Sequence, residues 1–320
     1  MSNPEQLLAI LLQQFVAQRS TGERALELAG FRASSEIRKL QSLRSLADAE
    51  FRVYSQFGED GIIDWLIEHI NVSAERFIEF GVESYVEANT RFLLKRRNWK
   101  GLVIDGSPEN VRTIQGDAVS RLYDLTSLAH FITRDNINAL FSQSGFIGAI
   151  GLLSIDIDGM DYWVWDRIAV VRPDIVVCEY NGAFGDLHPI TVPYDPDFQR
   201  YKAHFSGHYY GASIGALCQL AARKGYSPIG SNLKGCNAFF VADAHFQAIG
   251  ERIADRRPRA PRFRVSRDRA QNFDHKSTLE AYEQMKDMPV QRVDTGEVVP
   301  LGSLGDAFSA EWLDQVQATR

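Results

Sequence analysis

The chain has 320 residues, 45% of them hydrophobic and 24% charged, which is length and apolar content enough for a sizeable core and excludes a disordered, collagenous or coiled-coil protein. Thirty-five Lys and Arg stand against 41 Asp and Glu, and the net charge of −6 gives the whole molecule no bias toward nucleic acid or an anionic membrane. Cys178, Cys218 and Cys236 form no Cys-x-x-Cys pair and are odd in number, so they read as reduced, buried thiols.

The N-terminal apolar run Leu7 to Leu12 is too short to span a bilayer and lacks the basic flank of a secretory signal, so the expected address is cytoplasmic with no transmembrane segment. Residues 5–18 and 23–48 carry apolar residues at helical spacing, with Gly30 as a break. They predict a helical extension over residues 1–50. Its apolar stripes either cap the main domain or form a dimerisation arm, giving a homo-oligomer through residues 1–48.

From about Tyr54 short apolar runs alternate with amphipathic segments, the pattern of a parallel sheet with crossover helices. Strands are expected near Arg76–Gly81, Gly101–Asp105, Ala129–Thr133, Gly151–Asp156 and Asp174–Glu179, at spacings that each suit one βαβ crossover. A long polar and aromatic stretch, Asn181 to Tyr210, follows the fifth strand, and a length of irregular chain beside a strand end suits a binding site. A helix over Ala212–Lys224 should stop at Gly225, and Tyr226–Gly230 with Cys236–Val241 should form an edge hairpin. The expected fold is α/β: a Rossmann-like, doubly wound, seven-stranded sheet over residues 51–245, mostly parallel with a terminal antiparallel hairpin. Residues 246–320 then form a basic linker and C-terminal extension, with Arg256, Arg257, Arg259, Arg262, Arg264, Arg267 and Arg269 in quick succession. A solvated tail, a dock for a phosphate-bearing substrate and an anionic-membrane contact are all open readings of that run.

In an open parallel sheet ligands bind at the carboxyl ends of the strands, and these ends are acidic here. Gly81 permits close approach of a ligand at the first strand-to-helix turn, and Asp105, at the next strand end, can accept two hydrogen bonds from ribose hydroxyls. The first turn reads Gly81-Val82-Glu83-Ser84-Tyr85, with an acid where a pyrophosphate would sit, which disfavours NAD. A ligand with an ammonium for Glu79 or Glu83 and a ribose for Asp105 fits better, and S-adenosylmethionine is such a ligand. Asp156, Asp158, Glu179 and Asn181, at the ends of adjacent strands, could converge on a Mg2+ or Mn2+ ion that binds vicinal sugar hydroxyls and lowers an alcohol pKa. Methyl transfer to oxygen also needs a base, for which His208 is the first candidate and His188 the second. Tyr180, Tyr194, Tyr209 and Tyr210 offer flat surfaces for a sugar ring.

The motifs Tyr54-Ser55-Gln56-Phe57-Gly58-Glu59-Asp60-Gly61, Glu79-Phe80-Gly81, Ile104-Asp105-Gly106-Ser107 and Ser154-Ile155-Asp156-Ile157-Asp158-Gly159 resemble the class I S-adenosylmethionine-dependent methyltransferases. Within these, the chain is similar over roughly residues 50–245 to the FkbM-like O-methyltransferases associated with sugars and polyketide glycosides. The resemblance implies that Gln56 and Glu59 lie near the cofactor, that Glu79 and Gly81 line its methionine portion, and that Asp105 holds its ribose. It also makes Gly106, Ser107, Asp156, Asn89, Asp135 and Asn136 contacts. The acceptor expected is a small molecule or glycoconjugate rather than nucleic acid. Two alternatives stay open: a metal-dependent glycosyltransferase reading Asp156-Ile157-Asp158 as a nucleotide-sugar site, and a non-catalytic interaction protein on the same scaffold.

Overall fold

In the computed structural model, which describes residues 4–262 and 264–318, the apolar runs become ten strands. They are β1 (Arg76–Phe80), β2 (Lys100–Asp105), β3 (Leu125–Ala129), β4 (Gly148–Ile155), β5 (Val171–Glu179), β6 (Ile190–Thr191), β7 (Tyr226–Ser231), β8 (Asn237–Ala242), β9 (Pro289–Arg292) and β10 (Val298–Pro300). Seven form one sheet in the order β3-β2-β1-β4-β5-β8-β7. β1 to β5 run parallel, and β8 is antiparallel to both β5 and β7, so the Rossmann-like sheet with its terminal hairpin is as expected. β6, β9 and β10 make a small antiparallel sheet that ties the stretch after β5 to the C-terminal region.

Alternation along the central strands sends side chains to two cores. Ile78, Phe80, Leu102, Ile104, Leu153, Ile155 and Val176 pack on one face with Trp165 and Leu217, while Phe77, Val103, Leu152, Ile175 and Val177 pack on the other with Trp65 and Leu66. The third strand departs from expectation: it is Leu125–Ala129, ahead of Ala129–Thr133. As the edge strand it needs burial on neither face, and its residues are only partly covered. The more apolar run that follows it turns across the strand ends, where His130 donates its backbone N–H to Asp105 O. The helix Ile214–Lys224 starts on an Ser213 cap that accepts from Ala216 N and stops at the left-handed Gly225.

The N-terminal region is one helix, Pro4–Ile37, that passes straight through Gly30. Gly30 marks a close approach, not a break: a Cβ there would lie 2.3 Å from Val53 Cγ2. Among the described residues no helix is long and apolar enough to cross a membrane. Residues 246–262 and 264–318 fold back on the body through helices Thr278–Met285 and Ala310–Gln317, and Ala260, Trp312 and Val316 enter the first core.

The long N-terminal helix is tied to the body by Glu27, which pairs with Lys95 and Tyr54, and at its C-terminal end by the buried carboxylate of Asp64. Asp64, on the helix Glu59–His69, accepts from Ser34 Oγ (2.6 Å), Arg38 Nη2 (2.8 Å) and Arg97 Nη2 (3.0 Å), and its side chain is 3% exposed. Removing it leaves two mostly covered guanidinium groups with only the more exposed Glu68 as anion, so Asp64→Ala should cost about 3 kcal/mol in urea denaturation and expose the N-terminal helix to limited proteolysis. A change below about 0.5 kcal/mol, the size of an ordinary surface substitution, would remove Asp64 from this role.

Candidate active site

A cleft of about 570 Å3 opens across the carboxyl ends of the central strands. It is possible because β1 and β4 come very close: Gly81 has φ +77°, and a Cβ there would sit 1.5 Å from Asp156 O. No side chain could occupy that position without separating the two strand ends. Past Gly81 the chain loops to Thr90, and Glu79 holds this loop down. Its Oε1 accepts from Asn89 N (2.8 Å) and its Oε2 from Thr90 N (3.0 Å) and Thr90 Oγ1 (2.5 Å). Burial still pushes the Glu79 carboxyl above its ordinary value. Glu79 faces the cleft, but its oxygens serve the protein's own donors, which corrects the expectation that they await a ligand ammonium.

Asp105 is the better ligand acceptor. It is 7% exposed and lies on the cleft wall, where Oδ2 accepts from Glu83 N (2.8 Å) and Oδ1 from Ser107 N (2.8 Å) and Asn110 Nδ2 (3.0 Å). A carboxylate offers about four lone pairs, so the protein uses three and one, on Oδ2, is left over. Glu83 adopts φ 48°, a strained backbone that this hydrogen bond helps to retain.

At the other end of the cleft, Asp156, Asp158 and Glu179 each bring one oxygen within 4.8 Å of the others. Burial, with repulsion from Asp158 and Asp161, pushes the Asp156 carboxyl well up; burial and Asp156 do the same to Glu179, whose Oε2 is buried and has no hydrogen-bond partner. Arg200 supplies the counter-charge. Its Nη1 lies 2.5 Å from Asp158 Oδ1, and its guanidinium stacks 3.7 Å above the Tyr210 ring. Asp161 sits behind them, accepting from Ile157 N (2.9 Å) and Gly159 N (3.0 Å), which shapes the turn on which Asp158 takes φ 56°. Burial pushes Asp161 up to about 6.

The structure therefore brings Gln56, Glu79, Gly81, Glu83, Asn89, Asp105, Gly106, Asp156, Asp158 and Glu179 to one cleft. Several other candidates do work beside it. Glu59 is buried and clamps Asn232 and Asn237, the second of which lines the cleft. Ser107 caps the helix Pro108–Gly116. Asn136 closes the turn 131–133 by accepting from Thr133 N and donating to Phe131 O, and Asp135 lies exposed beside Arg134. Asn181 is spent on the fold, donating to His208 O and Tyr210 O while accepting from Ala183 N, so it does not join the three carboxylates.

Neither histidine reaches the cleft. His188 contacts Asp306 O at the surface, and His208 borders a separate small cavity where burial, followed by the charge of Arg200, pushes its pKa down to about 4. Tyr180 and Tyr209 donate to Arg259 O and Pro289 O and belong to the packing; Tyr194 and Tyr201 line the cleft. Arg200 and Asp161 were not among the sequence candidates. Arg200 had one visible signal, being one of two cations, with Lys202, in the acidic and aromatic stretch 181–210.

No family model matches the chain, and no curated protein does. Solved structures similar to it include the N-terminal domain of EvdMO1 with SAH bound (12% identity over 66% of this chain and 94% of that one, TM-score 0.39). The CurJ carbon methyltransferase (11%, 57% and 52%, TM-score 0.37) and the mitomycin 7-O-methyltransferase MmcR (12%, 53% and 49%, TM-score 0.33) are also similar.

Clustered acids of this kind destabilise the fold when ionised. An acid whose folded pKa is raised loses stability as pH climbs above its unfolded value near 4. Asp156→Asn removes that penalty, so the variant should match the wild type near pH 4 and exceed it by about 1 kcal/mol at pH 7.5 in thermal or urea melts. A variant less stable than wild type at pH 7.5 would contradict the assignment of Asp156 as a destabilising charge.

Proposed function

We propose that the chain is an S-adenosylmethionine-dependent methyltransferase acting on oxygen, with a sugar or glycoconjugate hydroxyl as acceptor, as the FkbM-like resemblance implies. The observation that carries the reading is the Asp105 carboxylate, held on the cleft wall by Glu83 N and Ser107 N with one acceptor lone pair unused. A ribose hydroxyl is the natural donor to it. The loop after β1 supports the same ligand, because it offers the acids Glu83 and Glu87 rather than a cradle for a pyrophosphate, and acids suit a ligand with cationic centres. When bound, S-adenosylmethionine supplies an electrophilic methyl group on a sulfonium.

The chain's own part is to bind, orient and deprotonate. Glu179, which lines the cleft and whose buried Oε2 has no hydrogen-bond partner, accepts the acceptor's hydroxyl proton. His208, pushed down to about 4 by burial, faces another cavity, so it is not the base. Tyr194 and Tyr201 give the acceptor ring an aromatic wall. Asp156, Asp158 and Glu179 also suit a hard divalent cation such as Mg2+ or Mn2+, which would lower the pKa of an acceptor hydroxyl. In this reading residues 51–245 are the catalytic domain, the N-terminal helix caps it, and residues 246–320 complete the cleft rim.

S-adenosylhomocysteine should raise the thermal midpoint of the wild-type protein. Asp105→Ala should weaken its binding roughly tenfold to a hundredfold, the loss of one hydrogen bond to a charged acceptor. Stabilisation by NAD, or by a nucleotide sugar with Mn2+, in place of S-adenosylhomocysteine would overturn the reading.

A further inference from the structure

The arginine-rich segment divides in two. Arg257 pairs with Asp255 and Glu311, and Arg259 with Asp255, so the first half is tied into the fold. Beyond it, among the described residues, Arg262, Arg264, Arg267 and Arg269 make no ion pair within 4.0 Å. The acids of that stretch are already engaged: Asp268 accepts from Ala270 N and Asn272 N, and Asp274 from Ser266 Oγ.

Two of these guanidinium groups are held against aromatic rings on the loop that follows Val265, a residue of the cleft lining. Val265 and Tyr201 line the cleft, and Arg267 lies between the Tyr201 ring (5.6 Å) and the Phe273 ring (4.3 Å), with Nη1 donating to Gln271 O (2.8 Å). Arg269 stacks on Phe205 at 4.6 Å. The loop carrying them is pinned to the stretch after β5 by Arg267 N to Ser206 O (3.3 Å) and Gln271 Nε2 to Phe205 O (3.4 Å). Stacked, ordered and unpaired guanidinium groups suit a phosphate, whose oxygens accept their N–H donors. The interior has the opposite sign, with Glu179, Asp156 and Asp158 at its floor. An anionic group is therefore repelled from the bottom of the cleft and attracted to its rim.

We propose that Arg267 and Arg269 form a phosphate subsite, and that the acceptor is a phosphorylated molecule whose phosphate rests on this rim while its hydroxyl reaches the carboxylates. This rests on the methyl-transfer reading for the meaning of the hydroxyl, though not for the binding of phosphate. The phosphate belongs to a soluble acceptor or to a lipid headgroup, and the two sources are separable.

Titration of the full chain, saturated with S-adenosylhomocysteine, with inorganic phosphate, glucose 6-phosphate and glucose tests it. Both phosphorylated probes should bind the wild type at least tenfold more tightly than R267Q/R269Q, and glucose should not discriminate. Flotation with phosphatidylglycerol vesicles, lost in the double variant and accompanied by no response to the soluble probes, would support the same subsite with a lipid source. Equal binding of glucose and glucose 6-phosphate with no vesicle binding, or a double variant as responsive as wild type, would overturn it. Should R267Q/R269Q lose its S-adenosylhomocysteine stabilisation through misfolding, R269Q alone decides: weaker phosphate binding supports the subsite, and unchanged binding overturns it. Failure of the wild type to respond to S-adenosylhomocysteine would sink the methyl-donor reading and leave the phosphate comparison intact.

Discussion

Carboxylates gathered at one edge of a sheet are charges taken partly out of water, and each must be compensated or remain reactive. The site is organised by how that compensation is distributed. Glu79 and Asp161 are satisfied by N–H and O–H donors of the loops they hold, so their cost is offset by ordering the turns after β1 and β4. Asp158 has Arg200. Asp156 and Glu179 have less: the Arg200 charge reaches them through space, yet burial and each other's proximity keep both carboxyls high. The acids that shape the cleft and the acids left with less compensation are thus different residues, although both kinds follow strand ends with the same look in the sequence.

This division explains what could be read from the chain alone. The strands of the centre were legible because residues buried on both faces must be apolar, and β1, β2, β4 and β5 lie where their apolar runs place them. β3 was less so, since an edge strand is held by pairing to β2 and not by burial, while the stronger apolar signal came from residues 130–133 that line the cleft. Gly30 read as a helix break because propensity knows nothing of Val53, which lies 23 residues on and packs against that helix face. At the site, Gly81, Asp105, Asp156 and Glu179 were legible from position at strand ends. Asn181 and His208 were not, because their environment depends on the path of the loop 182–210 and its hydrogen bonds. Arg200 was missed for the same reason: its partners, Asp158 and Tyr210, lie 42 residues before it and ten after it.

The two local fields have a common consequence. The cleft floor is negative and its rim, at Arg267 and Arg269, is positive, so a net charge of −6 says little about what either end attracts. A cationic ligand is favoured in the interior over a neutral one of the same shape. The same acids that raise each other's proton affinity therefore bias the cleft toward cations. Placing an Arg200 partner on Asp158 alone limits this bias without cancelling it. A second internal cation on Glu179 would lower its pKa and weaken the hold on a positively charged ligand in one step. Asp156 and Glu179 therefore keep a high proton affinity beside Asp161, which has the donors of its own turn, and Asp158, which has Arg200.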